Sequence, residues 1–287
     1  MIGVVASIAA LRAILEPARA SGATVGLVPT MGALHAGHAS LITAAAATPC
    51  SVVLTTVFVN PLQFAPTDDL AAYPRDLDGD VALAERAGAT LIFAPTVVEM
   101  YPTGAAGVRT SVRVGVVSES LEGAHRPGHF DGVATVVAKL FSIVGPCRAF
   151  FGEKDFQQLA VIKTMSADLS MPIEIIGCPT VRELNGLAMS SRNRYLTDSE
   201  RTGAAVIYRA LQAGRETIER GSRSAFDVRA AMRAILDASP VVASVDYAEV
   251  VDPATFAVPE PLEGKLRLLI AARVGKARLI DNVGAFA

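Results

Sequence analysis

The chain has 287 residues, 51% hydrophobic and 19% charged, with a formal net charge of −2 and a pI near 6.1. That size allows one large or two modest domains with a substantial core. The charge balance excludes a global basic field of the kind that draws nucleic acid, and no 18-residue apolar run suggests a membrane span. The start, "MIGVVASIAALRAILEPARA", has no basic head before its apolar run, and Arg12, Glu16 and Arg19 give it amphipathic helical spacing. It reads as the opening helix of a cytoplasmic protein. "ATVGLVPT" then reads as a strand and "HASLITAAAA" as the helix after it. "SVVLTTVFVN" is a continuous β-branched run of the kind buried in a parallel sheet. Asp76–Ala87 reads as a helix, "ATLIFAP" as a strand and "DGVATVVAKLFSIV" as a helix. "RAFFGEKD" is a short strand running into a polar loop, and "PIEIIGCPTV" is a further strand.

This βαβ rhythm predicts an α/β fold, a doubly wound, Rossmann-like parallel sheet over residues 1–180, with its ligand crevice at the carboxyl ends of the strands. After about Val181 the texture changes. A Thr197/Glu200 capping-box pattern opens one long amphipathic helix through "RETIERG", and "SAFDVRAAMRAILDAS" forms a second. "VDYAEVVD", "LRLLIAARVG" and "ARLIDNV" follow as strands. Residues 181–287 are therefore expected to form a smaller α+β lid domain. The cysteines, Cys50, Cys147 and Cys178, are scattered and form no CxxC pair, which fits a reducing compartment and small core residues.

The strand-end loops hold the unusual chemistry. In "PTMGALHAGH", Gly32 and Gly37 let the backbone approach a ligand, and His35 and His38 sit three apart at a helix start. Free amides and the positive end of a helix dipole favour phosphate there. Two imidazoles can donate to phosphate oxygens as charge builds in a transition state. "FGEKDFQQ" offers Lys154 to neutralise phosphate, Asp155 to accept from ribose hydroxyls, and neutral amides at Gln157 and Gln158. "GLAMSSRNRYL" offers Ser190, Ser191 and Arg192. Asn60 and Gln63 lie just beyond a buried strand, followed by Tyr73, Asp76, Asp78 and Asp80. "EGAHRPGHFDG" carries His125, Arg126 and His129. Neither GxxxxGK[ST] nor GxGxxG is present, which removes the P-loop route to ATP and weakens a dinucleotide reading.

HxGH opposite a Lys/Ser/Arg loop resembles the HxGH nucleotidylyltransferase superfamily. The longer strings "PTMGALHAGH", "VFVNPLQF", "YPRDLDGD", "HRPGHFDGV", "FGEKDFQQL" and "GLAMSSRNRYL", in that order, together with "LLIAARVGKARLIDN", closely resemble its pantoate–β-alanine ligases. Phe156 stands after GEKD where Tyr is expected in many relatives. The resemblance implies that pantoate is activated by ATP to a pantoyl adenylate with loss of pyrophosphate, and that the β-alanine amine then displaces AMP. It implies an ATP site of Met31, Gly32, Ala33, Leu34, His35, Ala36, Gly37 and His38 with Gly152, Glu153, Lys154 and Asp155. Val181 would contact adenine through its backbone, and Met189, Ser190, Ser191 and Arg192 would close over the nucleotide. His35, His38 and Lys154 would carry catalysis, with His38 as proton donor. Gln63, Gln158 and Arg126 would bind pantoate, while Gln63, Asn60 and Tyr73 would line the β-alanine pocket. Asp80 would stand nearest Mg²⁺, and the active form would be a homodimer in the cytoplasm. Neutral amides suit a substrate whose carboxylate must stay nucleophilic. The rival readings are another nucleotidylyltransferase of the superfamily, a nucleotide sensor, and a metallohydrolase using His35, His38, His125 and His129, although HxGH is poor chelate spacing.

Overall fold

Two kinds of hydrophobic alternation produce two sheets, one parallel and one antiparallel. The computed structural model describes residues 2–64, 70–71 and 73–287. The first part of the chain runs β1 (Gly3–Val5), α1 (Ile8–Ala20), β2 (Val25–Thr30), α2 (Ala36–Ala47), β3 (Val52–Val57), α3 (Leu77–Ala87), β4 (Leu91–Phe93) and α4 (Val97–Met100). It continues through α5 (Glu122–His125), α6 (His129–Val144), β5 (Cys147–Gly152), α7 (Phe156–Asp168) and β6 (Ile173–Cys178). The second part runs α8 (Asp198–Gly203), α9 (Val206–Glu219), α10 (Ala225–Asp237), β7 (Val242–Val251), β8 (Lys265–Val274) and β9 (Ala277–Phe286).

The six strands stand in the order β1-β4-β3-β2-β5-β6, and each pairing is parallel. From β2 the chain builds outward through β3 and β4, then returns to place β5 on the other side of β2. The order therefore reverses between β2 and β5, and ligands of such sheets bind beyond the carboxyl ends at that reversal. β2 ends at Thr30, immediately before the histidine turn, and β5 ends at Gly152, immediately before Glu153 and Lys154. The doubly wound fold expected from the sequence is the one observed. Val28, Ile42, Ile92 and Phe150 pack in its core, and each fully buried side chain of that kind stabilises by roughly 1.5–3 kcal/mol over exposure.

The remaining strands form an antiparallel sheet, β7-β8-β9. Leu211 of α9, Met232 of α10 and Leu268 and Ile270 of β8 are fully buried in its core. By its internal contacts the chain divides into two units. The larger comprises Met1–Ser118, Glu122–Glu153 and Gln157–Pro179, and the smaller comprises Glu119–Leu121, Lys154–Phe156 and Thr180–Ala287. Lys154–Phe156, which the sequence reading puts within 1–180, thus groups with the smaller unit.

Three elements differ from expectation. The opening segment is not all helix: Gly3–Val5 pairs with β4 before Ser7 caps α1. Three residues are too few for a period of two to be told from a period of 3.6. The long helix after Thr197 breaks into α8 and α9 at Ala204–Ala205; a Cβ on Gly203 would stand 2.8 Å from Val241, so close packing intervenes there. The polar loop after β5 is a single 3₁₀ turn, Glu153–Asp155, and α7 starts at once, placing Gln157 and Gln158 on its first turn. Among the described residues no helix is long and apolar enough to cross a membrane.

Candidate active site

The turn after β2 is built by side chains that grip its backbone. Thr30 Oγ1 donates to the Thr56 carbonyl at 2.6 Å and accepts from the Gly32 amide at 3.1 Å. Gly32 takes φ +80°, and a Cβ there would stand 2.8 Å from Asp80 Oδ2, so the position admits glycine alone. Ala33 follows at φ +50°, a region that residues with a Cβ rarely occupy. The buried Asp80 carboxylate holds this shape, Oδ2 accepting from the Ala33 amide at 3.0 Å and Oδ1 from the Leu34 amide at 2.6 Å. Asp80 lies in the first turn of α3, which Asp76 starts by accepting from the Gly79 amide at 3.0 Å. The resemblance points to Asp80 as the acid nearest Mg²⁺. In the fold both oxygens also accept main-chain amides, so the residue anchors the turn.

His35 is the N-cap of α2. Its Nδ1 accepts from the Gly37 amide at 3.1 Å, and His38 Nδ1 accepts from the His35 amide at a longer 3.4 Å. The two rings lie 4.1 Å apart, tilted by 36°. A ring nitrogen that accepts a hydrogen bond carries no proton, so the neutral rings keep their protons on Nε2. In their neutral form both rings of the turn containing Met31 and Ala36 thus carry the proton on Nε2, at a helix start that favours anions.

Gln63 is held in a second cluster of the same unit. Asn60 Nδ2 donates to Gln63 Oε1 at 3.0 Å and to the Gly132 carbonyl at 3.1 Å. Its Oδ1 accepts from the Tyr101 hydroxyl at 2.8 Å and the Leu62 amide at 3.3 Å. Burial pushes the Tyr101 phenol up, which keeps it a donor. The resemblance places Asn60 beside β-alanine; all its hydrogen-bonding capacity is used inside the chain, and its contribution is to the pose of Gln63. The main chain of Gln63 is clamped as well. His129 Nδ1 lies 2.9 Å from the Gln63 carbonyl, and His129 Nε2 lies 3.1 Å from Arg126 Nη1. Arginine only donates, so Nε2 accepts and the His129 proton sits on Nδ1, facing Gln63. Gly132 backs onto Leu62 so closely that any Cβ would overlap its carbonyl. Tyr73 stands edge-on to Phe64, their centroids 5.7 Å apart. Half-buried Gln158 makes no side-chain hydrogen bond among the described residues, whereas Gln157 is buried and bonded to the Val117 carbonyl and Glu122 amide.

In the smaller unit a recess of about 330 Å³, open mouth included, is lined by Lys154, Ser190, Arg192, Tyr208 and Asp281 among others. Lys154 Nζ is 3.4 Å from Asp155 Oδ1. Residues 181–189 form a hairpin, with the Met189 amide on the Val181 carbonyl at 2.9 Å and the Glu183 amide on the Leu187 carbonyl at 2.8 Å. Ser190 caps the 3₁₀ turn Ser191–Tyr195, accepting from the Arg192 amide at 3.2 Å, and the Arg192 side chain is exposed. Sequence reasoning missed Arg182, whose guanidinium pairs with both oxygens of buried Asp281 at 2.5 and 2.9 Å and lies 4.0 Å over the Tyr208 ring. The available signal was the polar pair Asp281–Asn282 interrupting an apolar strand.

Burial pushes the Cys147 thiol up to about 12, opposed by Arg19, and burial also raises Cys178, so neither is a thiolate nucleophile near neutrality. Among the described residues no three of His, Cys, Asp or Glu gather as metal ligands, so the four histidines of the metallohydrolase reading do not converge.

Known proteins resemble the chain along almost its whole length. The family model of pantoate-beta-alanine ligase matches residues 3–284. Pantothenate synthetase of Mycolicibacterium smegmatis is 51% identical over 271 residues, 94% of this chain and 83% of that protein. The crystal structure of pantothenate synthetase from Thermus thermophilus superposes with a TM-score of 0.92 at 47% identity, over 100% of both chains. The pantoate-beta-alanine ligase of Francisella tularensis, solved in complex with beta-gamma ATP and beta-alanine, gives a TM-score of 0.78 at 31% identity, over 99% of this chain and 97% of that one. The chain belongs to the pantoate–β-alanine ligase family.

Proposed function

We propose that the chain condenses pantoate with β-alanine at the expense of ATP. The pantoate carboxylate attacks the α-phosphorus of ATP and expels pyrophosphate, giving pantoyl adenylate. The β-alanine amine then attacks the acyl carbon, loses a proton, and displaces AMP. The observation that carries this reading is the pair of Nε2–H donors fixed at the start of α2 by the Gly37 and His35 amides. Donors already oriented need no reorganisation as negative charge grows on the phosphate oxygens, which is where such groups lower a barrier most. His38 also serves as the proton donor. Lys154, Ser190, Ser191 and Arg192 bear on the polyphosphate, Asp155 on the ribose and Val181 on the base. Gln63, Gln158 and Arg126 hold pantoate, the two amides leaving its carboxylate nucleophilic, and Gln63 and Tyr73 line the pocket of the amine.

Mg²⁺ accompanies ATP in this reading. The described residues build no protein cage for it, and Asp80 is engaged with amides. Triphosphate oxygens and water would supply its ligands, as is common for this ion. We also propose a cytoplasmic homodimer, which light scattering of the purified chain tests. The decisive assay for the reaction is AMP formation from ATP with both acids supplied and then each alone. AMP that needs both, with pantoate alone supporting pyrophosphate exchange into ATP, is the expected result. Pyrophosphate release that ignores the amine would move the chain to another nucleotidylyltransferase chemistry.

A further inference from the structure

We infer that Asn282, with Asp281 beside it on β9, is a positioning residue that sets Lys154 and the 181–189 hairpin in place, acting through both without touching substrate. The inference rests on the reading of Lys154 as a phosphate ligand. Consecutive residues of a strand project to opposite faces, so this adjacent pair can hold two separate segments. Asn282 Nδ2 donates to the Lys154 carbonyl at 2.8 Å, and its Oδ1 accepts from Arg267 Nε at 2.6 Å. The Arg267 guanidinium lies 4.0 Å over the Phe156 ring, so residues 154 and 156 are both tied to the same sheet. That explains why Lys154–Phe156 groups with the smaller unit although the larger precedes and follows it in sequence.

Asp281 takes the other segment. Its carboxylate receives Arg182 through two hydrogen bonds, and Arg182 also reaches the Gly186 carbonyl at 3.0 Å and the Asn282 carbonyl at 3.3 Å. The Asn282 amide closes the pair onto Asp281 Oδ1 at 2.7 Å. Asp281 and Asn282 are 5% and 3% exposed, so neither is a surface charge of convenience. A buried polar cluster that is fully bonded fixes one geometry, and losing one member leaves several donors unsatisfied. Here the fixed geometry is the spacing of Lys154 from Ser190 and Arg192 around one recess.

The test is steady-state kinetics of Asn282→Asp and Asn282→Ala, alone and combined with Lys154→Ala. Asn282→Asp keeps an acceptor for Arg267 but sets a carboxylate oxygen against the Lys154 carbonyl, removing the proposed contact, and its urea midpoint is read alongside so that a loss of fold is separated from a loss confined to ATP kinetics. A displaced backbone hydrogen bond of about 1.4 kcal/mol corresponds to about a tenfold fall in kcat/KM for ATP, with the KM values of pantoate and β-alanine unchanged. In a Lys154→Ala background the same substitution is expected to cost less than about twofold, because the residue it positions is gone. Full activity of Asn282→Asp, or a loss that simply multiplies with that of Lys154→Ala, overturns the inference. Should Asn282→Ala fail to fold, the Asn282→Asp pair still decides. If Lys154→Ala itself leaves ATP use intact, the underlying reading of Lys154 fails, a result separable from the failure of Asn282 to act through it.

Discussion

The two units hold their candidate site residues by different physical means. In the larger, the histidine turn is held mainly through its backbone: Asp80 accepts from the Ala33 and Leu34 amides, and the rings are fixed by the amides of Gly37 and His35. In the smaller, the hairpin is held largely through side chains paired in charge, Arg182 with Asp281 and Arg201 with Glu183, and Lys154 through the Asn282 side-chain amide. A turn held by main-chain amides demands particular φ angles and hence particular residues, which is why Gly32 is irreplaceable there. A hairpin held by ion pairs tolerates more sequence but responds to salt and pH. The difference makes the first region brittle to substitution and the second sensitive to conditions.

The largest effect is expected at the brittle end. His38→Ala removes a donor and the long bond from the His35 amide but leaves Asp80 on the Ala33 and Leu34 amides, so turnover should fall by roughly 10²–10³ while the fold loses only about 1 kcal/mol. Near-normal turnover would remove His38 from the chemistry. Gly32→Ala adds a Cβ at φ +80° against Asp80. A strain of about 1–3 kcal/mol is expected, read as a lower denaturation midpoint together with lost activity. Asp80→Asn converts one acceptor oxygen into a donor facing an amide, costing about 1–3 kcal/mol for the unsatisfied group. Because the deficit lies in the loop, added Mg²⁺ should not restore turnover. Recovery on Mg²⁺ titration would return Asp80 to the metal and break the contrast at its main support.

Much of the larger unit was legible because its signals are local. The β-branched run at Val52–Val57, the glycine turn and the spacing of His35 and His38 each declare themselves within a few residues. Asp80 was legible as a residue that matters but its hold on the turn was not, since the amides it accepts from lie 46 and 47 positions away. Asn60 was misread for the same reason: its partners include Tyr101 and Gly132, and only their convergence shows that no valence is left for a ligand. In the smaller unit the gap was wider. Arg182 and Asp281 are 99 residues apart, and Asn282 meets Lys154 across 128. No window of periodicity contains such a pair. Helix α7 was lost to the polar look of "GEKDFQQ", where the buried face begins only at Gln157 and Leu159.

The smallest expected effect probes the charge-held hairpin directly. Arg201 donates to Glu183 at 2.9 Å, and Asn193 Nδ2 adds a bond at 3.1 Å to Oε1. The hydrogen bond from Arg201 holds the Glu183 carboxyl below its ordinary 4.5, with burial opposing. A depressed folded-state value means the pair stabilises the fold above the unfolded value and stops doing so as pH falls through the folded one. The Arg201 side chain is 51% exposed, so the coupling is screened and is worth about 0–1 kcal/mol. Arg201→Gln should therefore lower the urea midpoint slightly at about pH 7, by an amount that shrinks in roughly 1 M salt and vanishes as the pH drops well below 4.5. A difference that persisted in acid would show the Arg201 stem acting by packing instead of charge. No difference at any pH would leave Asn193, a buried amide bonded to both Glu183 and the Ala188 carbonyl, as the group that closes the hairpin. The two units would then differ less than their charges suggest.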